Sequence, residues 1–354
     1  MTITYHSGER IQATQVDFDG IPAIAGGWKE LGRTSNSSLP DVTSLADKRY
    51  LMFLNFQESN NSRPAPAIRV NGDTGANYVR RGNASDGTGD YSNTTQTRVM
   101  FGGQPQGDTT TVPYFTVGYI ANKSDRGKLA ICHNTLAYQL GAGSSEPLER
   151  RETVFKWANT SEAVDQLSIV NHLGSGSFNT NGELVVLGYD PDDTHTTNFW
   201  EQLASGDQTS VTSSSTGTIT AKKYLWIQAY LEPSSSTRLD INFNNDTGSN
   251  YTRKGASNGG SDYSGGGGQT QLAVSGTDSS PKFVNMFFLN NSSQEKLGIA
   301  HAVNQSTAGA GTVPVRQENA LKWSNTSSQI TEIDFVQGDG ASMDRIIWKV
   351  WGSN

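Results

Sequence analysis

Oxygen donors recur at short spacing in two places along the chain. Asn71, Asp73 and Asn77 stand in NGDTGANY, and Asn244, Asp246 and Asn250 stand in NNDTGSNY. Alternate oxygens in a loop can be aimed at one point, which is how a hard cation such as calcium is held. Asp90 and Asp262, further along, would add a second carboxylate to each set. The glycine of each loop stands at the fifth position, not the sixth, and no bidentate glutamate follows, so an EF-hand is excluded. A competing reading needs no ion. Asn and Asp bond their own backbone and Gly accepts positive φ, so Asp-Thr-Gly and Asn-Gly-Gly make turns unaided. The turn reading is preferred, and no cofactor or metal is expected. The six residues stay as candidates for an irregular calcium loop.

Beside the donors lie Tyr78, Arg80 and Arg81, matched by Tyr251, Arg253 and Lys254. These are the candidates for touching a partner protein or a glycan. Two cations next to an aspartate more commonly make a local surface ion pair, which contributes little. In a bland structural role Tyr78 and Tyr251 would cap the core beneath the loop. His133 and His301 fall at equal offsets. With no ligand at metal spacing they read as strand-end histidines paired with backbone. Trp28 and Trp200, and Trp157 and Trp323, recur beside apolar residues, so core packing outranks sugar stacking. No nucleophile elbow, zincin helix, Walker loop or dinucleotide fingerprint is present. A depolymerase would need paired carboxylates, and none can be singled out. The chain is therefore not expected to be an enzyme.

The positioning elements are read from the repetition itself. Residues 71–91 and 244–263 share a donor loop, a basic pair and a closing Asp-Tyr. Self-similarity of this kind points to one unit used twice. Around each copy lie short apolar runs bounded by polar turns, such as Lys48-Arg49-Tyr50-Leu51-Met52-Phe53 and Lys222-Lys223-Tyr224-Leu225-Trp226-Ile227, which read as strands. Glu152-x-x-x-Lys156-Trp157 and its twin Glu318-x-x-x-Lys322-Trp323 have a spacing that suits a helix pair, but each segment is short and ends in a turn, so strand is preferred. The expected fold is all-β: two tandem homologous β-sandwich domains, jelly-roll-like, with about eight strands each. The expected boundaries are an N-terminal arm over 1–22, repeat 1 over 23–190, a linker over 191–198 and repeat 2 over 199–354.

Composition agrees with an all-β chain. Hydrophobic residues are 34%, charged residues 17%, and there are 38 glycines. The net charge of −7 has no basic block, which disfavours nucleic acid and anionic membrane as partners. No apolar run is long enough to span a bilayer, and MTITYHSGERIQ has no signal-peptide core. Cys132, the single cysteine, has Ala300 as its counterpart and reads as a small buried side chain.

Taken together, FNNDTGSNYTRKGASNGGSDY, THTTNFWEQLAS, GTITAKKYLWIQAYL and KWSNTS resemble tandem-repeat structural proteins of tailed-virus particles, over nearly the whole chain from about residue 15. The resemblance implies a virion component, foremost a capsid decoration protein, with a tail-fibre or collar component as the alternative. It carries no catalytic residues. Expected partners are the chain itself, as a trimer or another homo-oligomer, and other virion proteins. A glycan-binding adhesin that contacts the host surface is the competing class.

Overall fold

The computed structural model describes residues 27–60, 63–84, 90–104, 111–143, 148–174, 176–193, 198–305, 310–338 and 341–354. The expected arm over 1–22 lies outside these residues, as do 194–197 of the expected linker. All described regular structure is strand.

The first half holds β1 (Lys29–Ser35), β2 (Asp41–Val42), β3 (Tyr50–Glu58), β4 (Pro66–Val70), β5 (Tyr78–Ala84), β6 (Tyr91–Gln96), β7 (Val99–Met100), β8 (Pro113–Ala121), β9 (Lys128–Ala137), β10 (Leu148–Trp157), β11 (Leu167–Asn171) and β12 (Glu183–Tyr189). The second holds β13 (Glu201–Val211), β14 (Ser213–Ser215), β15 (Tyr224–Pro233), β16 (Leu239–Phe243), β17 (Tyr251–Ser257), β18 (Tyr263–Gln269), β19 (Leu272–Ala273), β20 (Lys282–Leu289), β21 (Lys296–Asn304), β22 (Val315–Trp323), β23 (Ile333–Gln337) and β24 (Met343–Ser353). Among the described residues, twelve strands per half exceed the eight expected, because short edge strands such as β2, β7, β14 and β19 carry too few residues to show a pattern.

Each half is a sandwich of two antiparallel sheets. The large sheet of the first half runs β1-β12-β3-β8-β9-β10-β5-β6 and the small one β2-β11-β4-β7. Adding twelve to every label gives the second half's sheets. The irregularities repeat as well. The register of β5 against β6 shifts between Tyr78 and Arg80, and that of β17 against β18 between Tyr251 and Arg253. The division into eight and four strands differs from a jelly roll, which places eight strands in two sheets. The segments Glu152–Trp157 and Glu318–Trp323 lie in β10 and β22, as the strand reading expects.

Three cores follow one another through the molecule. Leu51, Phe53, Ile68, Val70 and Phe155 fill the first sandwich. Leu225, Ile227, Ile241, Phe243 and Phe335 fill the second. A third core lies between the halves, where Leu54, Phe115 and Leu136 meet Tyr224, Phe287 and Leu297. Where the second half meets it, the large sheet of the first half is therefore covered on both faces, and Leu51 through Gln57 of β3 are all buried. A strand buried on both faces loses its apolar–polar alternation.

Candidate functional site

The duplicated donor loops are structural clasps. Asn71 and Asn244 have φ of 50° and 54°, a left-handed conformation that Asn tolerates better than most residues. The Asn71 side chain accepts from the backbone of Asp165 and Gln166 at 3.0 and 3.1 Å and donates to Ala163 at 2.8 Å. Asn244 does the same with Thr331, Glu332 and Gln329. Asp73 accepts from the Trp157 indole at 2.7 Å, from Asn77 at 2.9 Å and from the Gly75 N–H at 2.7 Å. Asp246 accepts from Trp323, Asn250 and Gly248 in the same way. Burial opposes ionisation of both aspartates, but these hydrogen bonds outweigh it and hold both carboxyls below their usual range. The oxygens of Asn71, Asp73, Asn244 and Asp246 are thus engaged by N–H donors of the protein itself.

Two expectations are corrected here. Tyr78 and Tyr251 are fully buried, as the core-capping reading expects, so neither is a surface platform for sugar. Their hydroxyls bond the backbone of Val70 and Phe243. The basic pairs are not surface ion pairs with the aspartates either. Arg80 and Arg253 lie over the rings of Tyr91 and Tyr263, at 5.0 and 5.1 Å, and donate to the carbonyls of Met100 and Ala273. Lys254 is buried and Arg81 is exposed. The closing tyrosines of the repeat thus stack on its arginines. Beneath each clasp a buried lysine supports the tryptophan. Lys128 lies 5.2 Å from the Trp157 ring and donates to Asn159, and Lys296 lies 5.7 Å from Trp323 and donates to Asn325. Cys132 and Ala300 are buried, as the small-residue reading expects.

The seam between halves brings together residues the sequence left apart. His133 and Glu152 are register partners on β9 and β10, and His301 and Glu318 are register partners on β21 and β22. The two histidines are mid-strand and meet each other, with ring centroids 4.2 Å apart. This corrects the expectation of strand-end histidines paired with backbone. Glu152 Oε1 lies 3.7 Å from His133 Nδ1 and 3.4 Å from His301 Nε2. Arg150 reaches across to Glu318 at 3.1 Å and to Asp262 at 2.8 Å. Asp262 is therefore an ion-pair partner across the seam. Burial, followed by the hydrogen bond and charge of Glu152, pushes Glu318 up to about 7, against the pull of Arg316 and Arg150. Burial also opposes ionisation of Glu152, but the nearby His133 and His301 imidazoles and the Glu318 carboxyl keep it well below the carboxylate range. The signal that could have found this cluster is the paired duplication: each histidine is followed, in the next strand, by a glutamate five residues before the repeated tryptophan.

Around the cluster the seam is apolar and bonded. Phe115 stacks on Tyr224, whose hydroxyl donates to Glu183 at 2.7 Å. Lys322 and Glu295 form a fully buried ion pair at 3.1 Å, and Lys322 also donates to the Gln139 carbonyl. Thr252 and Gly268 both donate to the Ala142 carbonyl.

One matched face differs between halves. In the second half Tyr224, Leu297, Ile299 and Ala320 are 0, 0, 5 and 1% exposed, because the first half covers them. Their counterparts Tyr50, Leu129, Ile131 and Val154 are 42, 60, 50 and 48% exposed. They line a recess of about 890 Å³ with Trp28 and Tyr119 on its wall. At the opposite end of the second half, Phe283, Val303 and Ile347 are exposed where Phe115, Thr135 and Glu183 are buried in the first.

No family model matches the chain, and no curated protein matches it. Among solved structures, the attachment invasion locus protein Ail of Yersinia pestis covers 82% of this chain and 99% of its own, at 5% identity and a TM-score of 0.12. An acyl-CoA hydrolase of Agrobacterium tumefaciens covers 62% of this chain and 74% of its own, at 6% identity and a TM-score of 0.12. The outer membrane protein OprG of Pseudomonas aeruginosa covers 85% of this chain and 96% of its own, at 6% identity and a TM-score of 0.10. Likeness at this level carries no argument about fold or function.

Proposed function

We propose that this chain is a building-block protein of a tailed-virus particle, foremost a capsid decoration protein, that works through protein–protein contact. Its halves are two copies of one β-sandwich module, with eight strands in one sheet and four in the other. The observation that carries the reading is the unequal cover of one matched face. In the second half that face receives a sheet of a related domain, whereas in the first half it is open and apolar. Burying a side chain such as Leu or Ile stabilises by about 1.5–3 kcal/mol, so an open group of four is a strong attractor. Because the matched face is complementary to a sheet of this same kind, the occupant is a second copy of the chain. Exposed apolar patches rimmed by polar groups mark interaction sites, and Arg81 and Lys156 stand at this rim. The resemblance in the sequence supports the virion setting.

The particle-level test is co-sedimentation of the purified chain with emptied capsids, together with its copy number in intact particles. Saturable binding at a copy number commensurate with the capsid lattice is expected. No binding to capsids, and a copy number of only a handful per particle, would move the chain to the tail.

A further inference from the structure

We propose that His133, Glu152 and His301 form a binding site for a divalent transition metal of the zinc class, and that the bound ion staples the two halves together. Each ligand is placed by a central strand of a large sheet: β9 and β10 of the first half supply His133 and Glu152, and β21 of the second supplies His301. One candidate atom from each, two imidazole nitrogens and a carboxylate oxygen, lies within 4.8 Å of the others. Neighbouring ligands of a tetrahedral zinc ion, each bonded at about 2.1 Å, stand roughly 3.4 Å apart. Glu152 Oε1 is 3.4 Å from one nitrogen and 3.7 Å from the other, so small side-chain adjustments close the set. The His133 Nδ1 is buried with no hydrogen-bond partner in the protein, and a metal would satisfy it. Two imidazoles select zinc, cobalt or nickel over calcium and magnesium, which prefer oxygen.

The surrounding charges permit a cation. Arg150 approaches Glu152 to 3.6 Å, and its charge opposes a metal, but it is engaged by Glu318 and Asp262. Arg316 is bonded to Glu318 at 2.9 Å. Two carboxylates (Glu152, Asp262) face two guanidiniums (Arg150, Arg316) with Glu318 between them, so no excess positive charge surrounds the site. Glu318, held by Arg150 and Arg316, stands beside Glu152, where a neighbouring group orients a ligand. Because the ligands come from both halves, binding requires the seam to be formed, and metal affinity becomes seam stability.

The test uses untagged full-length protein, first dialysed against chelator and checked for fold by circular dichroism. Zinc or cobalt is then added. One ion per chain is expected, with the visible absorption of tetrahedral cobalt and a raised unfolding temperature. His133→Gln and His301→Gln should each abolish uptake while remaining folded in chelator, and His172→Gln should leave it intact. Should a histidine variant fail to fold, Glu152→Gln reads the same loss from the third ligand. No stoichiometric uptake by the folded wild type, or uptake unchanged in the histidine and glutamate variants, would overturn the proposal. The site is internal to one chain, so neither result bears on the docking of a second copy.

Discussion

The two halves share a strand order, a clasp and even a bulge, yet they are unlike on one face. Leu297, Ile299 and Ala320 are sealed inside a seam, whereas Leu129, Ile131 and Val154 face outward. Duplication normally frees one copy to lose what it no longer uses. Here the first half keeps apolar residues on a face that its own partner domain leaves uncovered, as though that face were also covered in the working assembly. Position-matched residues thus act as their own controls, since the same side chain can be tested with and without a neighbour above it.

The largest contrast is expected at the matched lysines. Lys322→Met strands Glu295 in a buried site, where breaking an ion pair costs about 3–5 kcal/mol. Lys156, its exposed counterpart, should tolerate the same change at close to zero cost. Denaturant unfolding of the two variants checks this, and equal losses would mean that the seam does not exist as described. Leu297→Ala should follow, at about 2–5 kcal/mol for a buried leucine. Leu129→Ala should cost under about 1 kcal/mol in dilute solution, where no second copy covers it.

A smaller effect should be equal in both halves. Asp73→Asn and Asp246→Asn each replace a carboxylate that three donors hold, at a cost on the order of 1–2 kcal/mol near neutral pH. The folded-state pKa of each aspartate is depressed, so the stability it contributes is present above the unfolded value near 3.8 and is lost as pH falls through the folded value. Acid unfolding of each Asn variant should therefore be less steep than that of the parent below about pH 4. Unequal behaviour of the two variants would break the equivalence of the clasps.

Much of the single-half architecture is legible in the sequence, because it rests on local rules. Asn71 and Asn244 mark left-handed turns, the alternation of Ile68-Arg69-Val70 marks a half-buried strand, and Trp157 with Trp323 marks a core position. The sequence misplaces Tyr78 and Tyr251 when it offers them to sugar, since a tyrosine in a polar loop looks exposed until its hydroxyl finds a buried backbone group. It also misses the meeting of His133 with His301. That contact depends on how two sheets cross, which no spacing along one strand encodes. The open face of the first half is hidden for the same reason: Leu129 and Leu297 look identical until something covers one of them.

The most direct measurement is the solution mass by light scattering, over a range of concentrations, of the wild type and of the double substitution Leu129→Glu with Ile131→Glu. The account predicts a multiple of the single-chain mass for the wild type, a single-chain mass for the variant, and no effect of deleting residues 1–26. A wild type that stays at single-chain mass at high concentration, or one that associates only after residues 1–26 are removed, would contradict it.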